Sequence, residues 1–385
     1  MPSFDAYITD KGARPGDTTV MVAMSGGVDS SVAAALLVEA GYRVVGATLK
    51  LWCLANDDGG AGRCCSAQSL DDARAVCRTL GIPHYVIDLS SEFERKVVEP
   101  FCSEYLAGRT PNPCVECNTK IKFGDFMARA KGTGADYVAT GHHVRQGRDP
   151  ATGKFWMKRG VDSKKDQSYA LWGLTQPVLQ HTAFPIGWLT KEEVRERAKS
   201  LDLVVAEKQE SQDVCFIPEG DVAELFEKIA PRVSDLGRRQ IRDLKGEIRN
   251  LNGEIVGYHN GYFRFTVGQR RGLGVAAGRP QYVTRVDPAE NVVYVGDDYD
   301  LKARTAHAQD FNFISDEPPI SAKLNLSAKI RYLHPAAPGT LEPVGRGAVR
   351  FTFDELQRAI TPGQSLAVYD EDRLLGGGVI DGAEP

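Results

Sequence analysis

Three short stretches of this 385-residue chain place reactive residue types at useful spacing. The first is Ser25-Gly26-Gly27-Val28-Asp29-Ser30-Ser31. Adjacent glycines let the backbone take positive φ and approach a ligand closely, and a helix starting there aims its N–H groups and positive dipole end at the same point. The natural guest is an anion. Ser25, Ser30 and Ser31 add hydroxyl donors for phosphate oxygens, and the Asp29 carboxylate suits a Mg²⁺ held between them, a combination that fits pyrophosphate. No G-x-x-x-x-G-K-[ST] string occurs, so γ-phosphoryl transfer on a Walker A loop is disfavoured. A Gly-Gly turn alone is equally a plain strand–helix connection, and it is the whole string that carries the reading. The second stretch is Cys114-Val115-Glu116-Cys117, delivered by the rigid Arg109-Thr110-Pro111-Asn112-Pro113 to a helix expected over Asn118–Lys131. A thiol at a helix N-terminus is acidified by the dipole, so Cys117 is placed to be a thiolate. The third is Ser211-Gln212-Asp213-Val214-Cys215-Phe216, where Cys215 follows a polar loop. These thiols could serve zinc, an iron–sulfur centre or sulfur transfer; a closed zinc site is disfavoured because no second C-x-x-C exists. Cys53, Cys64, Cys65, Cys77 and Cys102, taken singly, read as small buried hydrophobes.

The elements that must position these groups alternate strand and helix. The short apolar run around Val20 and Val22 has strand character and leads into the glycine turn and the helix beginning at Val32. Arg43–Leu49 reads as a second strand, Ala55–Gly62 as a break, and Ser66–Leu80 as a helix stopped by Gly81-Ile82-Pro83. His84–Leu89 is a third strand, Ser91–Leu106 a helix with a kink or break expected at Pro100, and Asp136–Thr140 a fourth strand running into Gly141-His142-His143. Thr190–Glu193 fits a capping box for a helix reaching about Ser200. The expected fold class is α/β, a doubly wound parallel sheet, with ligands at the carboxyl ends of its strands, where Ser25–Ser31 and Gly141-His142 both fall. Beyond about residue 230 the texture changes to short β runs separated by glycine: Glu254–Tyr258, Tyr262–Val267, Gln281–Val286, Val292–Val295, Leu324–Tyr332, Arg346–Phe353 and Ser365–Tyr369. The expected division is a catalytic domain over 1–222, a small central β-rich domain over 223–300 and a C-terminal β-barrel over 301–385.

Composition narrows the class. Hydrophobic content of 42% and charged content of 25% belong to a soluble globular protein, with no apolar run of membrane length and a polar Met1–Gly16, so a cytoplasmic setting and no membrane partner are expected. A formal net charge of −4 means that an RNA partner would have to be met by a local basic surface.

The glycine–serine string resembles the PP-loop of the ATP pyrophosphatases, which split ATP into AMP and pyrophosphate. Six further strings stand in order: G-R-T-P-N-P-x-x-x-C-N-x-x-I-K-F from Gly108, A-T-G-H from Ala139, K-D-Q-S-Y from Lys165, S-Q-D-x-C-F from Ser211, G-Q-R-x-G-L-G from Gly268 and T-P-G-Q-S from Thr361. Together they resemble the bacterial tRNA-specific 2-thiouridylases over essentially the whole chain. That resemblance implies an adenine nucleotide alpha hydrolase-like first domain and an ATP-dependent sulfurtransferase acting on the wobble uridine of tRNAs of the glutamate, glutamine and lysine type. It implies ATP over Ala23, Met24, Ser25, Gly26, Gly27, Val28, Asp29 and Ser30 and against Leu49 and Gly141. It puts Asn112, Pro113 and Cys114 beside the target base, and His142, Lys165, Asp166, Gln167, Arg331, Tyr332 and Gln364 against the tRNA. It also implies that Cys215 carries a persulfide from a cysteine desulfurase or sulfur-relay protein, and that Cys117 attacks it, releasing sulfur or closing a disulfide. Many members have Asp in place of Cys114. The third thiol opens a second route, in which Cys114, Cys117 and Cys215 hold a [4Fe–4S] cluster.

Two other readings follow from the residues. A small-molecule synthetase could share the PP-loop, but an amine nucleophile needs no pair of thiols. A non-catalytic RNA-binding protein could retain the nucleotide fold, but it needs neither an intact Ser25–Ser31 loop nor placed cysteines.

Overall fold

The computed structural model describes residues 14–52, 67–209, 214–217, 222–235, 240–241, 244–275, 278–315 and 324–385. Cys53, Cys64, Cys65, Ser211–Asp213 and the basic residues Arg238, Arg239 and Arg242 lie outside them. Strands β1 (Thr19–Ala23), β2 (Arg43–Lys50), β3 (His84–Asp88) and β4 (Tyr137–Ala139) precede a hairpin of β5 (Val144–Arg148) and β6 (Phe155–Arg159), followed by the two-residue β7 (Thr182–Ala183). The first sheet has the order β3-β2-β1-β4-β7 and all its pairs are parallel. Helix α1 (Val28–Glu39) packs Val28, Val32, Ala33, Ala34 and Leu37 into the core, and helix α2 (Ala67–Thr79) buries Ser69, Ala73, Val76 and Cys77. Parallel strands need such crossover helices, which is why helix and strand alternate here. Gly46 on β2 gives room to Cys77, whose Sγ would lie 2.5 Å from any Cβ at that position.

The segment before the cysteines is helical throughout but changes register. Ser90–Phe93 is α-helical, Glu94–Val98 π-helical and Glu99–Leu106 α-helical again. Pro100 has no N–H to give, and the wider turn immediately before it takes up the missing bond, so the kink expected at Pro100 is a π segment. The next helix starts at Pro113, five residues ahead of the expected Asn118. Asn112 caps it, its side chain accepting from the Cys114 N–H at 3.1 Å, with Pro113 at the first helical position. It continues as a π-helical Cys117–Phe126 and ends as Met127–Gly132.

The central unit contains β8 (Lys245–Asn250), β9 (Ile255–Asn260), β10 (Tyr282–Asp287) and β11 (Val292–Gly296) in the order β10-β11-β8-β9. Tyr262–Val267, expected as a strand, is instead a 3-10 turn over Tyr262–Arg264. Its first ring anchors the unit to the first domain, the Tyr262 hydroxyl donating to the Leu106 carbonyl at 2.9 Å, and Phe263 stacks at 4.5 Å on Phe226 of the linking helix Val222–Val233. Those ring contacts, rather than ladder pairing, decide its conformation.

The C-terminal strands are β12 (Lys302–Phe313), β13 (Leu324–Lys329), β14 (Ala337–Gly345), β15 (Ala348–Arg358), β16 (Ser365–Asp370) and β17 (Arg373–Glu384). Their order β12-β15-β14-β13-β16-β17 closes through β12–β17 pairing into a six-stranded barrel. Its own core holds Phe351, Phe353, Leu366, Val368 and Ile380. The hairpin β5–β6 from the first half of the chain joins the outside of this barrel through β6–β17 pairing, and the Asp372 carboxylate holds it by accepting from Arg145 at 2.6 Å and pairing with Lys158 at 3.0 Å.

Candidate active site

The glycine turn after β1 is cross-tied. The Ser25 N–H donates to Ser30 Oγ at 3.2 Å, and the Ser30 and Ser31 hydroxyls donate to the Gly27 carbonyl at 3.2 and 2.9 Å. Gly27 stands at the N-cap of α1 with no side-chain cap, so the helix start faces the turn with its dipole. Gly26 has φ +70°, and a Cβ there would stand 2.1 Å from the Ser69 carbonyl oxygen. Gly141, at the end of β4, lies so close to α1 that a Cβ would be 2.5 Å from the Ser30 nitrogen. Both glycines are therefore required by close backbone approach. Met24 is fixed on either side, its N–H donating to Ala47 O and its carbonyl accepting from Thr48 Oγ1 at 3.0 Å. Thr48 also pairs with His84 Nε2 at 2.9 Å, and Leu49 follows it on β2.

Asp29 is not an isolated carboxylate. Burial alone would raise its pKa, but hydrogen bonding from His143 and the Lys191 ammonium outweigh that and hold it below the usual carboxylate range. Lys191 Nζ reaches Asp29 Oδ1 at 2.7 Å and His143 Nε2 reaches the same oxygen at 3.3 Å. A second cation, Lys208, donates to the Gly26 carbonyl at 2.9 Å while paired with Asp72 at 2.6 Å. Sequence reading singled out neither lysine nor His143, since a lone Lys in the first turn of helix α3 (Lys191–Ser200) carries no spacing signal. It chose His142, which is buried, hydrogen-bonded to Thr140 Oγ1 at 2.7 Å and set between Phe123 and Phe184. Burial pushes its pKa well below the ordinary histidine value, so it is a neutral ring.

The cysteine loop is held from the far end of the chain. Arg109 donates to Glu104 at 2.7 Å and to Asp381 at 3.1 Å, the Thr110 N–H donates to the Pro362 carbonyl at 2.8 Å, and Gln364 Nε2 donates to the Thr110 carbonyl at 2.9 Å. Gly363 makes the fit possible, a Cβ there standing 2.8 Å from the Thr110 nitrogen. Cys114 occupies the helix start and is exposed; Cys117 lies one turn further in and is buried. The dipole argument made for Cys117 thus applies more directly to Cys114, because the helix begins earlier than its apolar pattern suggests. Phe216, next to Cys215, is anchored edge-on against Phe93 at 5.6 Å and Phe101 at 5.3 Å, in the helical segment that leads into the cysteine loop. Cys77 and Cys102 are buried, with pKa values pushed up to about 11 and about 12 by burial, and are poor nucleophiles. Among the described residues no three His, Cys, Asp or Glu side chains come together to hold a metal ion. A [4Fe–4S] cluster on Cys114, Cys117 and Cys215 is thus without support, and Oδ1 of Asp29, the expected Mg²⁺ ligand, meets Lys191 and His143.

The string Lys165–Tyr169 lies between these two sites. The Gln167 N–H donates to the His143 carbonyl at 3.0 Å and its Oε1 accepts from the His143 N–H at 2.9 Å, fixing the histidine that faces Asp29. Asp166 is buried and accepts from the Gly160 and Ser168 N–H groups. Tyr169 donates to the Ser365 carbonyl at 2.9 Å, and the Asn112 side chain offsets part of the rise that burial gives its pKa; Asn118 Nδ2 donates to the Ala170 carbonyl at 3.0 Å. Lys165 is half-buried beside them. Asp166 and Gln167 are thus scaffold in this conformation, joining the phosphate turn to the cysteine loop. Arg331 donates to the Arg358 carbonyl at 3.1 Å, and Tyr332, 41% exposed, lies against Tyr169 at 6.3 Å.

A PP-loop at the carboxyl ends of a parallel sheet, a cysteine loop braced by a C-terminal barrel and a small β unit between them define a three-part nucleotide-dependent enzyme. Residues 18–219 match the tRNA methyl transferase HUP domain family, 236–297 the tRNA methyl transferase PRC-barrel domain and 303–380 the aminomethyltransferase beta-barrel domain. The chain is 47% identical to the tRNA-specific 2-thiouridylase MnmA of Acidobacterium capsulatum, with 94% of this chain and 99% of that protein covered. It is 47% identical to the MnmA of Moorella thermoacetica, over 94% and 99%, and 44% identical to that of Clostridioides difficile, over 94% and 98%. The chain belongs to the tRNA-specific 2-thiouridylase family, PP-loop tRNA sulfurtransferases. No helix among the described residues is long and apolar enough to cross a membrane.

Proposed function

We propose that this protein converts the wobble uridine of tRNA to 2-thiouridine in two stages, each run by one of the two sites joined through Asp166–Ala170. In the first, ATP lies over Ala23–Ser30 with its adenosine near Leu49 and Gly141 and its leaving pyrophosphate in the Ser25–Ser31 turn. Lys191 and Lys208 add positive charge at that turn, where negative charge develops on the leaving group. Asp29 would hold a Mg²⁺ that screens the phosphate charge, and Lys191, now on Asp29 Oδ1, would add its own positive charge beside it. The uridine O2 attacks the α-phosphorus, the bond to the β-phosphate bridging oxygen breaks, and N3 gives up its proton, leaving an O2-adenylated base.

In the second stage the terminal sulfur of a Cys215 persulfide attacks C2 and AMP leaves. The Cys117 thiolate then attacks the Cys215 sulfur; the S–S bond breaks with its electron pair on the base sulfur, giving the 2-thio base and a Cys117–Cys215 disulfide. An external thiol reduces the disulfide, and a cysteine desulfurase or relay protein reloads Cys215. Asn112, Pro113 and Cys114 border the flipped base, and Arg331, Tyr332, Lys165 and Gln364 lie towards the tRNA; ATP and tRNA as substrates fit a cytoplasmic setting. The observation that carries this reading is the hydrogen-bonded path Asp29–His143–Gln167 on one side of the string and the bonds from Tyr169 to Ser365 and from Asn118 to Ala170 on the other. The test is nucleoside mass spectrometry after incubation with unthiolated tRNA, ATP, Mg²⁺ and a persulfide donor. Wild type should yield 2-thiouridine; Cys215→Ala should yield none while still binding tRNA. A mutant as active as wild type would contradict the assigned role.

A further inference from the structure

A cationic seam runs between the hairpin strand β6 and the barrel strand β13. The Arg159 guanidinium lies over the Tyr369 ring at 4.2 Å, and its Nε and Nη2 are buried without a hydrogen-bond partner. Buried guanidinium donors are normally satisfied, because leaving one unpaired costs more than a hydrogen bond contributes. Lys329 Nζ sits over Tyr169 at 5.9 Å and Tyr332 at 5.8 Å, with no carboxylate in salt-bridge range among the described residues. Burial lowers its pKa, Asp166 raises it in part, and Arg159 adds a smaller lowering. Asp166 has little left to offer, since Oδ1 accepts from Gly160 and Ser168 N–H and Oδ2 from the Ser168 hydroxyl at 3.0 Å. Two half-buried cations therefore act on one another electrostatically, with Asp166, already committed, the one carboxylate that offsets Lys329.

We propose that Arg159 and Lys329 form a binding site for a backbone phosphate of the tRNA anticodon arm next to the target nucleotide, a proposal that rests on the tRNA reading above. The Nε and Nη2 edge of a guanidinium is the fork that meets two phosphate oxygens, and the ammonium supplies a third donor. Tyr332 offers an exposed face for stacking an adjoining base. Tyr169, which lies under Lys329, also interacts with Asn112 at the cysteine loop, so a phosphate held here would fix the strand beside the flipped base.

The test measures binding of an anticodon stem-loop RNA to wild type, Lys329→Met and Arg159→Gln over a range of KCl concentrations. Each variant should weaken binding about tenfold, as for loss of a charged hydrogen bond, and make the slope of log K against log salt shallower by about 0.7, as for one lost single-strand phosphate contact. A neutral methylphosphonate walked through the linkages flanking the target should, at one linkage, weaken wild-type binding by the same factor and cost Lys329→Met nothing further. Inorganic phosphate should compete for wild type more strongly than for Lys329→Met. Lys329 is only partly buried, so its variant keeps the test open if Arg159→Gln fails to fold. Unchanged affinity and slope in Lys329→Met, with wild type binding and thiolating normally, would overturn this site alone. Failure of wild type to bind RNA would contradict the tRNA reading and this site with it.

Discussion

The turn at Ser25–Ser31 is tied to itself, with Ser30 and Ser31 both reaching Gly27, whereas the lead-in to Cys114 is tied to Gln364, 254 residues away, and to Asp381, 272 residues away. The phosphate turn is closed by its own serines and held from outside by Lys208, Lys191 and His143, all within the first domain. The thiol loop takes its shape from a docked barrel, the same domain that carries Arg331, Tyr332 and Gln364. The loop that holds Cys114 and Cys117 is thus shaped by a distant domain, so under the proposed function RNA held by the barrel would bear on the thiols, while the proposed adenylation site is built within the first domain. The Asp166–Ala170 string is where the two schemes meet.

Several changes should separate or merge the two regions. The largest effect is expected for Gly26→Ala, whose Cβ would strike the Ser69 carbonyl from a φ of +70°. ATP-dependent AMP formation should fall at least about 100-fold, as for an ångström-scale displacement of bound groups, with barrel and thiol loop unaffected by thiol-labelling rates. Gln364→Ala should do the reverse. Losing its bond to the Thr110 carbonyl costs about 1 kcal/mol of loop positioning, so thiolation should slow about fivefold to tenfold while adenylation stays near wild type. Equal loss of both activities would break the distinction. Tyr169→Phe removes a buried hydroxyl that donates to Ser365 and interacts with Asn112, and should lower the denaturation free energy by about 1–2 kcal/mol.

The smallest expected effect is on pH dependence, and it sits outside the thiol loop. Burial lowers the pKa values of His84, His142, His259 and His334 below the ordinary 6.5. The unfolded chain takes up these protons near pH 6.5 and the folded chain does not, so stability is full above that value and declines as pH falls below it. Thermal midpoints should drop between about pH 7 and about pH 5, and His142→Gln should flatten part of that drop if the ring is neutral in the fold.

Much of the first domain was legible because its signals are local. Arg43–Leu49 forms β2, the Thr190–Glu193 capping box is present, and Gly81 ends the helix with φ +66°. The strands that escaped notice are those whose composition hides them. β17 contains Gly376-Gly377-Gly378, where a Cβ at each position would strike the facing strand or Trp172, so the glycines mark tight barrel packing and not a loop. β12 reads as a polar run, with burial alternating imperfectly across its two register shifts. In the site, the glycines, Asp29 and the cysteines could be named from their spacing and family resemblance. Lys191, Lys208 and His143 could not, because their importance comes from tertiary contact with Asp29 and Gly26, 114 to 182 residues away.

The most direct measurement of the division of labour follows the α-phosphate of labelled ATP onto tRNA in the absence of any sulfur donor. Wild type and Cys215→Ala should transfer label alike, and Asp29→Asn, which loses the carboxylate facing Lys191 and His143, should transfer almost none. Label transfer that requires Cys215, or that survives Asp29→Asn unchanged, would contradict the account.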